Sequence, residues 1–153
     1  MPIVLRTGTA EDADACAQVW ERSVAARDGR PPVDLLQVQR RLRSGAGRLR
    51  IVDESPASHP LGFALSLRAG GDVLVSHLAV LPDSQRRGIA VLLMDDAAEH
   101  ARRRDAARLL LEVRVGNAAA IALYAGLGFL ALRAPVPHPL GGQPMQLLGL
   151  GLR

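Results

Sequence analysis

Six consecutive residues, Gln85-Arg86-Arg87-Gly88-Ile89-Ala90, have the makings of an anion site. They follow an apolar stretch that reads as a buried strand and lead into apolar residues at helical spacing, so they form a strand-to-helix turn. Such a junction aims several backbone N–H groups and the positive end of a helix dipole at one point. Gly88 lacks a Cβ and lets the backbone approach an anion, Ala90 keeps the first helical turn uncluttered, and Arg86 and Arg87 add charge. The chemistry this supports is phosphate or pyrophosphate binding; a plain turn with one glycine is the alternative reading. Two other phosphate loops are excluded, because the chain has no GxxxxGK[ST], no lysine at all, and no G-x-G-x-x-G after an early strand. The single cysteine, Cys16, reads as a small buried hydrophobe in a helix and not as a nucleophile. No residue cluster has metal-ligand spacing, so no metal is expected.

The elements that must position this turn can be followed along the chain. Residues 1–6, with Ile3-Val4-Leu5, read as a strand. Thr9 ahead of Glu11, Asp12 and Asp14 suits a helix N-terminus, and that helix would carry Ala13, Ala17, Trp20 and Val24 on one face. Gly29-Arg30-Pro31-Pro32 breaks it, and a second helix follows with Leu35, Leu36, Val38 and Leu42 apolar and Ser44-Gly45 as its stop. Residues 49–52 are a strand ended by a turn-rich stretch, 55–60, and residues 61–67 are another, closed by a hairpin turn at Gly70-Gly71-Asp72. Residues 73–81 are apolar on both faces apart from Ser76 and His77, which predicts a central strand. Beyond the turn, Ile89, Leu92, Leu93 and Ala97 define a helix that ends in Arg102-Arg103-Arg104. Residues 109–115 form a strand, Asn117 can cap a short helix at 118–125, and Gly126 and Gly128 terminate it. Residues 129–132 and 145–152 close the chain as strands around a Pro- and Gly-rich loop. The order β-α-α-β-β-β-α-β-α-β-β predicts one α/β domain, a mixed sheet with helices on both faces, without repeats or a linker.

The bulk composition narrows the class. The 153 residues are 48% hydrophobic and 22% charged, which argues for a packed core and against disorder. No signal peptide or bilayer-length apolar run is legible, so a cytoplasmic protein is expected, with no membrane partner. The net charge of +4 is carried by arginine alone, a bias that suggests a GC-rich, bacterial coding genome. A basic chain invites a nucleic-acid reading through the arginine run. Few aromatics and scattered arginines argue against it, and the run reads as a solvated helix end.

Leu78-Ala79-Val80-Leu81-Pro82, followed by Gln85-Arg86-Arg87-Gly88-Ile89-Ala90, resembles the acetyl-CoA motif of the GNAT acetyltransferase superfamily, [RQ]-x-x-G-x-[GA]. Asn117-Ala118-Ala119-Ala120-Ile121-Ala122-Leu123-Tyr124, then Gly126-Leu127-Gly128-Phe129, resembles its second motif, N-x-x-A-x-x-x-Y-x-x-x-G-F. The resemblance implies the GNAT fold, a central mixed sheet of about seven strands flanked by four helices in one domain over residues 1–153. It implies acetyl-CoA as co-substrate. The backbone of Leu78, Ala79 and Val80 would bond the pantetheine arm. Gln85, Arg86, Arg87, Gly88, Ile89, Ala90 and Val91 would wrap the pyrophosphate, Asn117 would contact the cofactor near the thioester, and Tyr124 would sit beside the sulfur as general acid. Asn117 and Tyr124 are two helical turns apart and share a face.

The reaction implied is direct attack of a primary amine on the thioester. An alkyl amine with pKa near 10.4 is neutral about once in 10³ at pH 7, so a base would help. A phenol near pKa ~10 gives up its proton to a thiolate of about 8.5 only uphill, so a hydrogen bond from Tyr124 is the safer role. Family positions for a base correspond to Leu74 and Ser76, which cannot serve. His77 has the opposite strand parity and is expected to pack, Glu112 is a second candidate, and water is a third. Glu21, Asp28 and Asp34 would suit a cationic acceptor, but Arg22, Arg27 and Arg30 a carboxylate. The acceptor is therefore open between small amines, amino acids and protein N-termini, as are the length of the acyl group and a homodimer. A non-catalytic acyl-CoA sensor is the competing function.

Overall fold

Local signals set most element ends. In the computed structural model, which describes residues 2–54 and 59–153, β1 (Ile3–Thr7) runs into a capping box. The Thr9 hydroxyl accepts from the Glu11 N–H, and the Asp12 carboxylate accepts from the Thr9 N–H at 2.9 Å. One 3-10 turn, Ala10–Asp12, precedes α1 (Ala13–Asp28), so the regular helix begins later than the acidic cluster suggested. Gly29 stops α1 with φ 75°, a conformation glycine reaches without a Cβ clash. Next come α2 (Leu35–Arg43), β2 (Arg48–Glu54) and β3 (His59–Ala69). Met1 and residues 55–58 of the expected first strand and turn lie outside the described residues. His59 and Pro60, read as turn, belong to β3.

A two-residue turn at Gly70-Gly71 leads to β4 (Asp72–Val80), with Asp72 already in the strand. The remaining elements are α3 (Ile89–Arg103), β5 (Arg108–Arg114), α4 (Ala118–Gly126), β6 (Leu130–Ala131) and β7 (Met145–Gly151). The seven strands form one sheet in the order β1-β2-β3-β4-β5-β7-β6, with β4 central as its two-sided apolarity predicted. The β4–β5 pair is parallel and β1–β2, β2–β3, β5–β7 and β6–β7 are antiparallel, so the sheet is mixed as expected.

The chain divides into two compact units. The first comprises residues 1–67 and 77–96. Its core sets Cys16, Ala17 and Val19 of α1 and Val38 and Leu42 of α2 against Leu49, Ile51, Phe63 and Leu65 of β2 and β3. Of the apolar residues of α2, Leu36 is exposed. Arg6 bridges from β1 to Asp12 and to Asp53 of β2. The second unit comprises residues 68–76 and 97–153, and buries Leu109, Leu111 and Val113 of β5, Phe129, and Leu148 of β7. There β6 is only two residues, shorter than the expected strand at 129–132, because Phe129 turns inward while Leu130 stays exposed. The run Arg102-Arg103-Arg104 is solvent-exposed as expected, with Arg103 paired to Glu99 at 3.0 Å. No helix among the described residues is long and apolar enough to cross a membrane.

Candidate functional site

The residues singled out for chemistry fall into two groups, one in each unit. In the first, β4 ends at Val80, and the Leu81 N–H donates to Leu61 O at 2.7 Å. One 3-10 turn, Pro82–Ser84, then aims the chain out of the sheet. Gln85 is extended, Arg86 has φ 69° and Gly88 has φ 78°, so two left-handed residues curl the backbone just before α3. Residues 85–88 are all exposed. Within α3 the Leu92 N–H bonds back to Gly88 O at 2.9 Å. By helix geometry the N–H groups of Ile89, Ala90 and Val91 therefore face out of the helix end toward the curl. Ile89 itself is 1% exposed and anchors that end. The result is an exposed, positively polarised helix end preceded by two arginines, suited to an anion. Upstream, Ala79 and Val80 bury their side chains and Leu78 is half-buried.

In the second unit the Asn117 side-chain oxygen accepts from the Ala120 N–H at 3.2 Å and caps α4, as its position predicted. That leaves the carboxamide NH₂ as the group able to reach a ligand. Gly126, expected to end the helix, is its last residue. Gly128 (φ 99°) makes the turn that returns Phe129 edge-on to Tyr124, with ring centroids 5.9 Å apart. Tyr124 is 6% exposed, so its ring is fixed by packing.

The base candidates separate clearly. His77 packs edge-on against Trp20 of α1, with centroids 4.9 Å apart, and the Trp20 indole N–H donates to Asp34 at 3.0 Å. Burial pushes the imidazole pKa down to about 4; Asp34 opposes this shift and Arg41 adds to it. A side chain so placed is a packed neutral histidine, as strand parity suggested. Glu112 is exposed on β5, opposite Leu147 of β7. Of the three carboxylates that would suit a cationic acceptor, Asp28 pairs with Arg27 and Asp34 with Trp20, while Glu21 is half-buried on α1. Cys16 is fully buried and its thiol is pushed up to about 12, chiefly by that burial, which removes it as a nucleophile.

Two features escaped the sequence. Arg48 and Arg50 of β2 both grip Asp96 of α3. Gly62, in the middle of β3, lies against Ala79, Val80 and Ile89. An isolated glycine in a strand is a known sign of close backbone approach, so Gly62 had a signal; the arginine clamp had none.

Comparison with known proteins agrees with this geometry. The sequence profile described as "Acetyltransferase (GNAT) family" matches residues 15–129, more than half of the chain. The [ribosomal protein bS18]-alanine N-acetyltransferase of Escherichia coli K12 is 42% identical over 67 residues, 44% of this chain and 45% of that protein. The chain thus spans just under half the length of the curated relatives it matches. The crystal structure of the E. coli ribosomal-protein-S18-alanine N-acetyltransferase superposes with a TM-score of 0.78 at 24% identity, covering 99% of this chain and 94% of the other. The PaiA N-acetyltransferase of Thermoplasma acidophilum, solved in complex with coenzyme A, gives a TM-score of 0.78 at 15% identity over 99% of each chain. At such identities the two structures speak for the fold alone, and the profile match carries the assignment: the chain belongs to the GNAT acetyltransferase family.

Proposed function

We propose that this chain acts as one GNAT domain and transfers the acetyl group of acetyl-CoA to the α-amine of a peptide or protein. The observation that carries the donor half is the exposed curl at residues 85–88 opening α3, whose outward N–H groups and paired arginines suit a pyrophosphate. In this reading Gln85, Arg86, Arg87, Gly88, Ile89, Ala90 and Val91 hold that pyrophosphate. The backbone of Leu78, Ala79 and Val80 takes the pantetheine arm, and the Asn117 carboxamide meets the thioester end.

The acceptor half rests on proton energetics. An α-amine with pKa about 7.7–8.0 is neutral roughly one time in ten at pH 7, a penalty of ~1.4 kcal/mol, against about 4–5 kcal/mol for a lysine-type amine. His77 is neutral but packed under Trp20, and Glu112 is exposed, so a substrate that needs little help in deprotonation fits these residues best. Water suffices to take the amine proton. The amine nitrogen forms the new C–N bond as the C–S bond breaks, and the departing thiolate accepts a hydrogen bond from the Tyr124 hydroxyl. The acetylation named for the E. coli relative, of an alanine of a ribosomal protein, makes alanine-initiated peptides the first substrates to try. The setting proposed is a bacterial cytoplasm.

Thiol release from acetyl-CoA, measured with a panel of peptides and small amines, tests this. Alanine-initiated peptides should outpace lysine-type amines near pH 7. Tyr124→Phe should lower kcat by roughly 10²-fold with the acetyl-CoA KM little changed. Acetyl-CoA binding without release to any amine would replace the enzyme by a sensor.

A further inference from the structure

Two glycines flank the donor elements for opposite reasons. Gly88 has φ 78° and open space where a Cβ would be, so backbone conformation alone demands glycine there. Gly62 has no positive φ, and its backbone would admit alanine; what it lacks is room. A Cβ on Gly62 would lie 2.9 Å from the Ala79 carbonyl oxygen, 3.0 Å from Ile89 Cγ2 and 3.2 Å from Val80 Cγ2. The first of these is a main-chain atom that no rotamer change can move aside.

The surrounding pairing makes this approach specific. Val52 pairs with Gly62 and Asp53 with Pro60, so Leu61 is the extra residue of a β-bulge. Leu61 O in turn accepts from the Leu81 N–H at 2.7 Å. Residues 61 and 62 thus touch the end of β4, the residue that follows it, and the first residue of α3. Alanine at 62 would have to push back the Ala79 carbonyl, Ile89, or both.

We propose that Gly62 is a positioning residue for acetyl-CoA: its missing Cβ lets β3 seat Ala79, Val80 and Ile89 together, and so aligns the β4 backbone with the first N–H groups of α3. This rests on the reading of those groups as the pantetheine and pyrophosphate ligands. A shift of several tenths of an ångström at Ala79 misaligns donors that must meet one flexible ligand at several points, whereas it leaves the groups that meet the amine where they are.

The test compares wild type, Gly62→Ala and a control, Gly151→Ala, where a new Cβ meets open space. Coenzyme A affinity is read by titration calorimetry, and KM and kcat by thiol release. Gly62→Ala should raise the coenzyme A Kd and the acetyl-CoA KM by about tenfold or more. The amine KM and kcat at saturating acetyl-CoA should stay within about threefold, with Gly151→Ala like wild type throughout. Wild-type affinity in a folded Gly62→Ala protein overturns the proposal, as does an equal loss in kcat and in both KM values. If wild type itself binds no coenzyme A, the acetyl-CoA reading falls and takes this proposal with it. Should Gly62→Ala fail to fold, Gly62→Ala with Ile89→Ala, which vacates part of the contact, is compared with Ile89→Ala alone. A raised Kd in the double variant supports the proposal and an unchanged one overturns it.

Discussion

Replacing Asp96 by asparagine removes one negative charge from between two arginines. Arg48 Nη1 lies 2.8 Å and Arg50 Nε 3.2 Å from the same carboxylate oxygen, and each guanidinium also reaches the second oxygen, at 3.4 and 3.2 Å. Strand alternation sets this up: Leu49 and Ile51 point into the core, so Arg48 and Arg50 share the opposite face of β2. The three side chains are 14–22% exposed. An exposed pair is worth at most about 1 kcal/mol, and breaking a buried one costs about 3–5 kcal/mol, so this half-way burial implies about 2 kcal/mol. An asparagine NH₂ would also face a donor. In a chain of this size the loss corresponds to a fall in Tm of about 4–8 °C.

The pH dependence supplies an internal check. Burial opposes ionisation of Asp96, but the hydrogen bonds and charges of Arg48 and Arg50 outweigh it and hold its carboxyl below the usual range. A depressed folded pKa gives stability that is present above the unfolded value, about 3.9, and is lost as pH falls below it. Urea unfolding followed by circular dichroism should show the full gap between wild type and Asp96→Asn at pH 7, narrowing below pH ~4. A gap under about 0.5 kcal/mol at pH 7, or one that does not shrink in acid, would refute the clamp.

Arg86→Gly should raise stability by about 0.5–1 kcal/mol, because φ 69° strains a residue with a Cβ more than the added chain entropy of glycine costs. A lower Tm for Arg86→Gly counts against that strain. His77 destabilises the fold as pH falls. Its folded pKa, about 4, lies below the unfolded value, so its stability is intact above pH ~6.5 and declines through the interval down to 4, by up to roughly 3 kcal/mol. His77→Phe, which keeps an edge for Trp20, should flatten the urea midpoint between pH 7 and 5; an unaltered slope would assign it to other groups.

Features encoded by consecutive residues were legible, and those encoded by distant pairs were not. The turn before α3 and the Asn117 cap depend on neighbours within one or two turns, so residue order sufficed to place them. In α2 composition alone does not pick out the buried residues: Leu35, Val38 and Leu42 recur at helical spacing, whereas Leu36 lies about 100° round from Leu35 and faces solvent. The parity of His77 was readable, but Trp20 as its cover was not, since the two lie 57 positions apart in the chain. Phe129 illustrates a third case. Apolar composition extended the expected strand through it, yet the left-handed Gly128 turns the chain and spends Phe129 on Tyr124.

Around α3 these distant contacts divide the work. A non-glycine residue at positive φ persists only where its surroundings over-determine it. Here the first turn of α3 is tethered by the buried Ile89 against β3, and the third turn by Asp96 against β2. The two tethers differ in chemistry and in lever arm. Gly62 acts through hard main-chain contact directly on the groups that would meet the cofactor, whereas the clamp on Asp96 acts two turns away through charges that water can partly replace. Loosening the clamp therefore spends folding free energy while leaving the N-terminal N–H groups seated on Ile89. Crowding Gly62 moves those groups themselves. On the proposed reading, a donor site held by backbone in this way would tolerate change in its side chains and little change in its packing, and the residue proposed to position it carries no side chain at all.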